Sequence, residues 1–372
     1  MRILVVGHTY LVAENQKKIT ALASQPGVDV ALVTPHRWPE PLLGSLRPDV
    51  PADAPFAARA IPTLGAGHEQ FYVYLSADLG MRRFRPDVVY VEQGAGAFAY
   101  AQALVCRRLF APRARAAFFT WWNLPYEASR PLAAVERFNL ARSQGAVAGN
   151  ADAAALLRDH GFNGPVAVLP QLGVDPEEFR PRDAAELRHR LGLDRFTIGF
   201  AGRFVETKGL LMLLEALDGA PFDFQLLLVG KGPLEAEIRS FADARGWRGR
   251  LAVVSDVGHR EIATYYPAMD VLVLPSLTRP PVKEQFGHVL IEAMACAVPV
   301  VGSTSGEIPN VIGDAGLVTP EGDAGALGAA LAGLAVSADA RRALGEAGRR
   351  RVLELYTHGG LARRLVSFFG TL

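Results

Sequence analysis

The 372-residue chain is predicted to be an α/β protein of two doubly wound, parallel-sheet domains, and three observations carry that expectation. At roughly 100–200 residues per domain, the length points to two cores. Short apolar, β-branched runs alternate with longer stretches of helical period, the pattern of a parallel sheet covered on both faces. The strand runs form two sets of about six, separated near Asp175–Asp194 by Pro176, Pro181 and a run of charges. Half the residues are hydrophobic and 21% are charged, which excludes a largely disordered chain.

In the first half, strands are expected at Arg2–Val6, Val30–Thr34, Val88–Glu92, Ala116–Thr120, Gly145–Ala148 and Val166–Leu169. In the second half they fall at Thr197–Ala201, Phe224–Val229, Leu251–Val254, Val271–Pro275, Val298–Gly302 and Gly316–Val318. Helical period is clearest at Lys208–Leu217, Gly232–Ala244, Phe286–Ala297 and Asp339–Leu355. Residues 35–70 hold seven prolines and little periodicity, and are expected to form an extended loop. The amphipathic segment 356–372 is expected to return to the first domain. The domains are accordingly placed at 1–180 with 356–372, and at 181–355. Ligands of open α/β sheets bind beyond the carboxyl ends of the strands, so two facing domains would hold a ligand in the cleft between them.

Charge and cysteine content narrow the function. Thirty-nine basic against thirty-eight acidic residues leave +1, too weak a field for nucleic acid or anionic lipid. Cys106 and Cys296 alone make neither a disulfide framework nor a zinc site, which points to a reducing, cytoplasmic setting. No apolar run approaches a membrane span. Clusters at Arg82, Arg83, Arg85 and at Arg107, Arg108, Arg113, Arg115 would allow peripheral membrane contact, but solvated helix faces are the favoured reading.

The richest stretch is Glu284-Gln-Phe286-Gly287-His288-Val-Leu-Ile-Glu292. Phe286 and Gly287 read as a helix start, whose unpaired amides and positive dipole end suit a phosphate. On one helical path, Glu284 and Glu292 would lie roughly 12 Å apart. That matches two hydroxyl-bearing sugars on either side of a pyrophosphate; the alternative is two solvated carboxylates. A second cluster, Gly202-Arg203-Phe-Val-Glu206-Thr-Lys208-Gly209, follows a strand directly. Gly202 admits a ligand close to the backbone. Arg203 and Lys208 would neutralise charge growing on a diphosphate leaving group, in place of a divalent metal. Lysine is scarce, at positions 17, 18, 208, 231 and 283 only, which singles out Lys208 slightly. Val229-Gly230-Lys231-Gly232-Pro233 is a strand-to-helix turn with proline at a helix N1 position. There is no D-x-D and no G-x-G-x-x-G after the first strand, which argues against a metal-nucleotide pair and a dinucleotide cofactor.

Together these pieces resemble the family 4 glycosyltransferases, retaining enzymes of the GT-B fold, most clearly over residues 145–330. The resemblance includes Pro170-Gln-Leu-Gly173-Val-Asp175, Gly199 to Arg203 with Lys208-Gly209, Val229 to Pro233, Pro275-Ser276, Glu284-x-Phe286-Gly287 to Glu292, and Gly306-Glu-Ile-Pro309. It implies two Rossmann-like domains facing a cleft, with a donor-binding C-terminal domain and an acceptor-binding N-terminal one. Arg203 and Lys208 would bind the donor pyrophosphate. Glu284 would hold sugar hydroxyls beside the amides of Phe286, Gly287 and His288, and Glu292 would bind the ribose. The loop after Lys231 and Gly232, with the turn Val257-Gly258, would flank the base. The implied reaction moves a hexosyl group from a nucleoside-diphosphate sugar (UDP- or another base) to a glycan, lipid-linked or natural-product hydroxyl, with retention, without metal and without a cofactor.

The first half departs from the family pattern. Only Gly7 stands where members often carry two glycines, beside a lone His8. Trp122 or Asn123 falls where many have a histidine. Glu92 and Gln93, at a strand end, are expected on the acceptor side, and His68-Glu-Gln-Phe71-Tyr72-Val-Tyr74 either walls an acceptor pocket or packs as a helix start. Two further readings stay open: a GT-B nucleotide-sugar epimerase, and a catalytically silent sugar-nucleotide-binding subunit.

Overall fold

The computed structural model describes residues 1–40 and 44–372. The chain runs β1 (Arg2–Val6), α1 (Lys17–Ala23), β2 (Asp29–Pro35), β3 (Trp38–Glu40), β4 (Gly44–Leu46), β5 (Ala57–Ile61), β6 (Thr63–Leu64) and β7 (Val73–Tyr74). It continues through α2 (Met81–Phe84), β8 (Val88–Val91), α3 (Phe98–Phe110), β9 (Arg115–Thr120), α4 (Arg130–Arg142), β10 (Gly145–Ala148), α5 (Ala151–Asp159) and β11 (Val166–Val168). The second half has α6 (Ala185–Leu191), β12 (Phe196–Ala201), α7 (Leu210–Leu217), β13 (Phe224–Val229), α8 (Glu235–Ala244), β14 (Leu251–Val254), α9 (His259–Tyr265) and β15 (Val271–Leu274). Then come α10 (His288–Ala295), β16 (Val300–Ser303), α11 (Ile308–Ile312), β17 (Leu317–Thr319), α12 (Ala324–Val336), α13 (Ala338–Leu355) and α14 (His358–Gly370).

Two compact units result, Met1–Gly173 with His358–Leu372, and Val174–Thr357. The expected boundary at 180 moves back to Gly173. Val174 N–H donates to the Tyr356 carbonyl (2.9 Å), and the buried Phe179 ring packs against Tyr266, so 174–179 belong to the second core.

The first unit is a parallel sheet in the order β11-β10-β9-β8-β1-β2-β5. Successive side chains of β1 enter opposite layers, as strand geometry requires. Ile3 and Val5 join Ile19 and Leu22 of α1 and Leu361, Leu365 and Phe369 of α14; Leu4 and Val6 join Tyr100, Ala103 and Leu104 of α3. The C-terminal helix is thus part of the first core. Residues 35–70 are more structured than the loop expected there, although 41–43 lie outside the described residues. They contribute the β3–β4 pair and the edge strand β5, parallel to β2. Strand β5 has mostly small side chains and leaves all but Ile61 exposed, so it carries no apolar alternation to read. The segment 68–74 is no helix start: its end pairs with β6, and Tyr72 and Tyr74 are buried.

The second unit is a parallel sheet in the order β14-β13-β12-β15-β16-β17. One layer buries Ile198 and Phe200 beneath α7 and α12 through Leu213, Leu217, Leu327 and Leu331. Among the described residues, no helix is long and apolar enough to cross a membrane.

Candidate active site

In the second unit, β12 and β15 are neighbours, while the chain proceeds outward to β13 and β14 on one side and to β16 and β17 on the other. The connections leaving β12 and β15 therefore part in opposite directions and open a crevice at their carboxyl ends, the usual ligand position in such sheets. Both sequence clusters that carry chemistry sit on these two connections.

The loop after β12 is held by backbone bonds across the sheet. Gly202 N–H donates to the Val229 carbonyl (2.9 Å), Phe204 N–H to Lys231 (3.0 Å), and Leu234 N–H to Phe204 (3.1 Å). A side chain is excluded at Gly230, where a Cβ would lie 1.9 Å from the Gly202 carbonyl oxygen. Phe204 is buried, which leaves its neighbour Arg203 exposed, with no side-chain hydrogen bond or ion pair among the described residues. Gly209 has φ +69°, and a Cβ there would stand 2.0 Å from the Pro275 carbonyl. That close approach, with Leu277 N–H on the Thr207 carbonyl (2.8 Å), presses Lys208 against the loop after β15.

The result is an ion pair between Lys208 Nζ and Glu284 Oε2 at 2.6 Å, with side-chain exposures of 23% and 11%. Ser276 Oγ donates to the same carboxylate oxygen (2.7 Å). Glu284 lies on the connecting loop, since the helix α10 starts only at His288. The 12 Å helical spacing to Glu292 therefore does not apply. Gly287, at φ +85°, turns the chain into α10, and the Phe286 ring is buried against Tyr356 and His288, which leaves it no side-chain role toward a ligand. Glu292, on α10, accepts a hydrogen bond from the buried Tyr266 hydroxyl. Burial, with Glu292 beside it, pushes the Tyr266 phenol well above its ordinary pKa, so it remains a donor.

Lys231 is exposed and pairs with Asp256, which turns at φ +59° just before Val257 and Gly258. Gly232 packs against the Phe204 backbone, where a Cβ would lie 2.4 Å from its carbonyl oxygen. Among the described residues no three His, Cys, Asp or Glu side chains form a set able to hold a metal ion.

The first unit has its own switch point, between β1 and β8. Gly7 and His8 follow β1, and Glu92 and Gln93 follow β8. Gln93 Nε2 lies 2.6 Å from His8 Nδ1, within hydrogen-bond distance. His8 also stacks on Trp38, with ring centroids 4.5 Å apart. Glu92 does not join this part-buried pair. Its carboxylate is buried in an ion pair with Lys18, and Gln171 Nε2 donates to its other oxygen (2.7 Å). Trp121 is tied to the same Gln171 through its indole N–H (2.8 Å); Trp122 is exposed and Asn123 is buried.

Sequence reasoning missed Lys18, Trp38 and Tyr266, and quoted Gln171 and Ser276 only inside motifs, without a role of their own. The scarcity of lysine that singles out Lys208 applied equally to Lys18; Trp38 and Tyr266 are buried aromatic residues with no local signature.

Residues 182–351 match the family described as "Glycosyl transferases group 1". A GDP-mannose-dependent alpha-(1-6)-phosphatidylinositol monomannoside mannosyltransferase of Mycobacterium tuberculosis is 33% identical over 222 residues, 55% of this chain and 56% of the relative. A D-inositol 3-phosphate glycosyltransferase of Xylanimonas cellulosilytica is 35% identical over 198 residues, 50% of this chain and 46% of the relative. The chain spans about half the length of the curated relatives it matches. Two solved structures share the fold over the full chain: Anabaena HepE in complex with UDP, at TM-score 0.75 and 16% identity (100% of both chains), and sucrose-phosphate synthase from Thermosynechococcus elongatus, at 0.73 and 21% (100% of this chain and 98% of that one). The fold is GT-B, with two Rossmann-like domains.

Proposed function

We propose, on the match of its residues 182–351 to the group 1 glycosyl transferases, that this chain transfers a hexosyl group from a nucleoside-diphosphate sugar to an acceptor hydroxyl, with retention and without metal. The observation that carries the reading is the Lys208–Glu284 pair across the β12/β15 crevice, with Arg203 exposed beside Lys208 in the same loop. A cation and an anion held together suit a ligand with an anionic diphosphate next to a hydroxyl-rich sugar.

In this reading Arg203 and Lys208 take the diphosphate, Glu284 accepts hydrogen bonds from hexose hydroxyls, and Glu292, oriented by Tyr266, takes the ribose. The turns at Lys231-Gly232 and Val257-Gly258 flank the base. The acceptor oxygen attacks the anomeric carbon as its bond to the β-phosphate oxygen breaks. The proton passes to the departing phosphate, whose growing charge the two cations stabilise. Stabilisation of this kind acts where charge develops, and so raises turnover. His8 and Gln93, at the switch point of the first unit, are the acceptor-side residues of this proposal.

The names of the relatives make GDP-mannose the first donor to try and a polyol or its lipid-linked form the first acceptor; the UDP complex makes UDP-glucose the comparison. The test is a thermal-shift screen of nucleoside diphosphates and their sugars, followed by donor hydrolysis and transfer in EDTA. A ligand at a hundred times its Kd stabilises by about 2.7 kcal/mol. Activity that vanishes in EDTA and returns with a divalent metal would overturn the metal-free mechanism. Donor binding without turnover across an acceptor panel would favour a silent subunit.

A further inference from the structure

We propose that Glu321 is a positioning residue for this donor site: its carboxylate clamps the loop 276–287 at Thr278 and thereby fixes where Glu284 stands. The inference rests on the donor-site reading above.

The loop connects β15 to α10 and carries Glu284 near its far end. Its own internal structure is slight, an isolated bridge between the exposed Arg279 and Val282. Its course is set from outside. Ser303 Oγ donates to the Ser276 carbonyl (2.6 Å), and Leu277 N–H reaches Thr207. The next residue, Thr278, is gripped twice by one group: its N–H donates to Glu321 Oε1 (2.5 Å) and its hydroxyl to Oε2 (2.8 Å). Thr278 Oγ1 also lies 3.0 Å from Ser305 Oγ, and Glu321's own N–H donates to Thr304 Oγ1 (3.0 Å). At the other end, Glu307 N–H donates to the Glu284 carbonyl (3.3 Å), and Gly306 packs so closely that a Cβ would stand 1.8 Å from that oxygen.

Three consecutive connections, after β15, β16 and β17, are therefore joined at the base of the loop, and Glu321 makes the bond between the first and the last. Glu321 forms no ion pair among the described residues, so its charge serves two neutral donors on a single residue. Only a carboxylate offers two acceptor oxygens and no donor. Glutamine in its place would keep one acceptor, and alanine neither. Displacing the loop root shifts Glu284 relative to the sugar while leaving Arg203, Lys208 and Glu292 on their own elements.

The experiment compares wild type, Glu321→Ala and Glu321→Gln. It reads calorimetric Kd for GDP and UDP, kcat and KM for hydrolysis of the matching nucleotide sugars, and the melting temperature. The expected result is a diphosphate Kd within about twofold of wild type and a kcat about ten- to a hundredfold lower in Glu321→Ala, the cost of an ångström-scale misplacement. Glu321→Gln should fall between. An unchanged kcat in a folded Glu321→Ala protein would overturn the assignment. So would a loss of diphosphate affinity in parallel with kcat, which marks a general collapse of the unit. A wild-type protein that binds no nucleoside diphosphate at all would instead overturn the donor-site reading, and this inference with it.

Discussion

Replacing Glu284 by Gln removes one negative charge from beside Lys208 while keeping the side chain's length, and it separates two quantities that most active-site substitutions move together. The ion pair at 2.6 Å is neither fully exposed nor fully buried, at 23% and 11%. Exposed pairs contribute about 0–1 kcal/mol, and breaking a buried pair costs about 3–5. This one belongs between, at about 2 kcal/mol. At about 2–4 °C per kcal/mol for a domain of this size, the ligand-free melting point should fall by about 4–8 °C. A diphosphate arriving at wild type competes with Glu284 for the Lys208 ammonium; in the variant that competition is absent. Nucleoside-diphosphate affinity should rise by up to about tenfold, which is 1.4 kcal/mol. Turnover of the nucleotide sugar should drop by about a hundred- to a thousandfold, the size seen when one preorganised polar contact to a reacting group is removed. Isothermal titration with GDP and UDP, beside initial-rate kinetics, reads both. A kcat within threefold of wild type would refute the placement of Glu284 against the sugar. A weakened diphosphate affinity would refute the competition argument.

The other expectations test separate parts of the site and scaffold. Tyr266→Phe removes the hydroxyl that orients Glu292; losing about 1–2 kcal/mol should raise donor KM about five- to thirtyfold with little change in kcat, measured by steady-state kinetics. Gly230→Ala forces a Cβ to 1.9 Å from the Gly202 carbonyl at φ +142° and should cost several kcal/mol, about 3 or more, whereas Gly249→Ala, with nothing within 4 Å, should lie within about 0.5; urea unfolding compares them. The buried phenols Tyr10, Tyr72, Tyr74, Tyr90, Tyr100 and Tyr266 are all pushed above their ordinary pKa, first by burial. The folded state thus holds protons that the unfolded chain releases above pH 10. Stability is complete below that pH and is lost as pH rises, by about 1.4 kcal/mol per tyrosine at pH 11. Denaturant midpoints that stay level from pH 9 to 11 would contradict this.

Most of the regular structure was readable because a strand buried on both faces is an almost unbroken apolar run, and burial leaves that mark locally. Strands β1, β10 and β13, and the half-buried edge strand β14, run over the residues the pattern predicts, and the other expected strands differ by a residue or two at their ends. The edge strand β5 was invisible for the complementary reason: its side chains are mostly exposed, and its place is decided by pairing with β2. Helix α10 began two residues late because Gly287 supplies the turn, so the helical path drawn from Glu284 to Glu292 is a loop over its first four residues.

The chemistry divides in the same way. Residue types and their order along the chain marked Arg203, Lys208, Glu284 and Glu292 as a set, since a loop at a strand's carboxyl end needs glycine for close approach and charge for a phosphate. What the order could not convey is which charges meet. Lys208 and Glu284 are 76 positions apart, and Thr278 and Glu321 are 43 apart; the first pair is brought together by the neighbouring strands β12 and β15, the second across β16 from β15 to β17. Glu92 looked equally available at the end of β8, yet it is buried against Lys18, 74 positions away. Local periodicity records whether a side chain is covered, while its partner is set by non-local strand order. The sequence by itself therefore determined the fold class and the candidate residues, and the tertiary structure alone decided which of them stand at the β12/β15 crevice and which are taken up inside the protein.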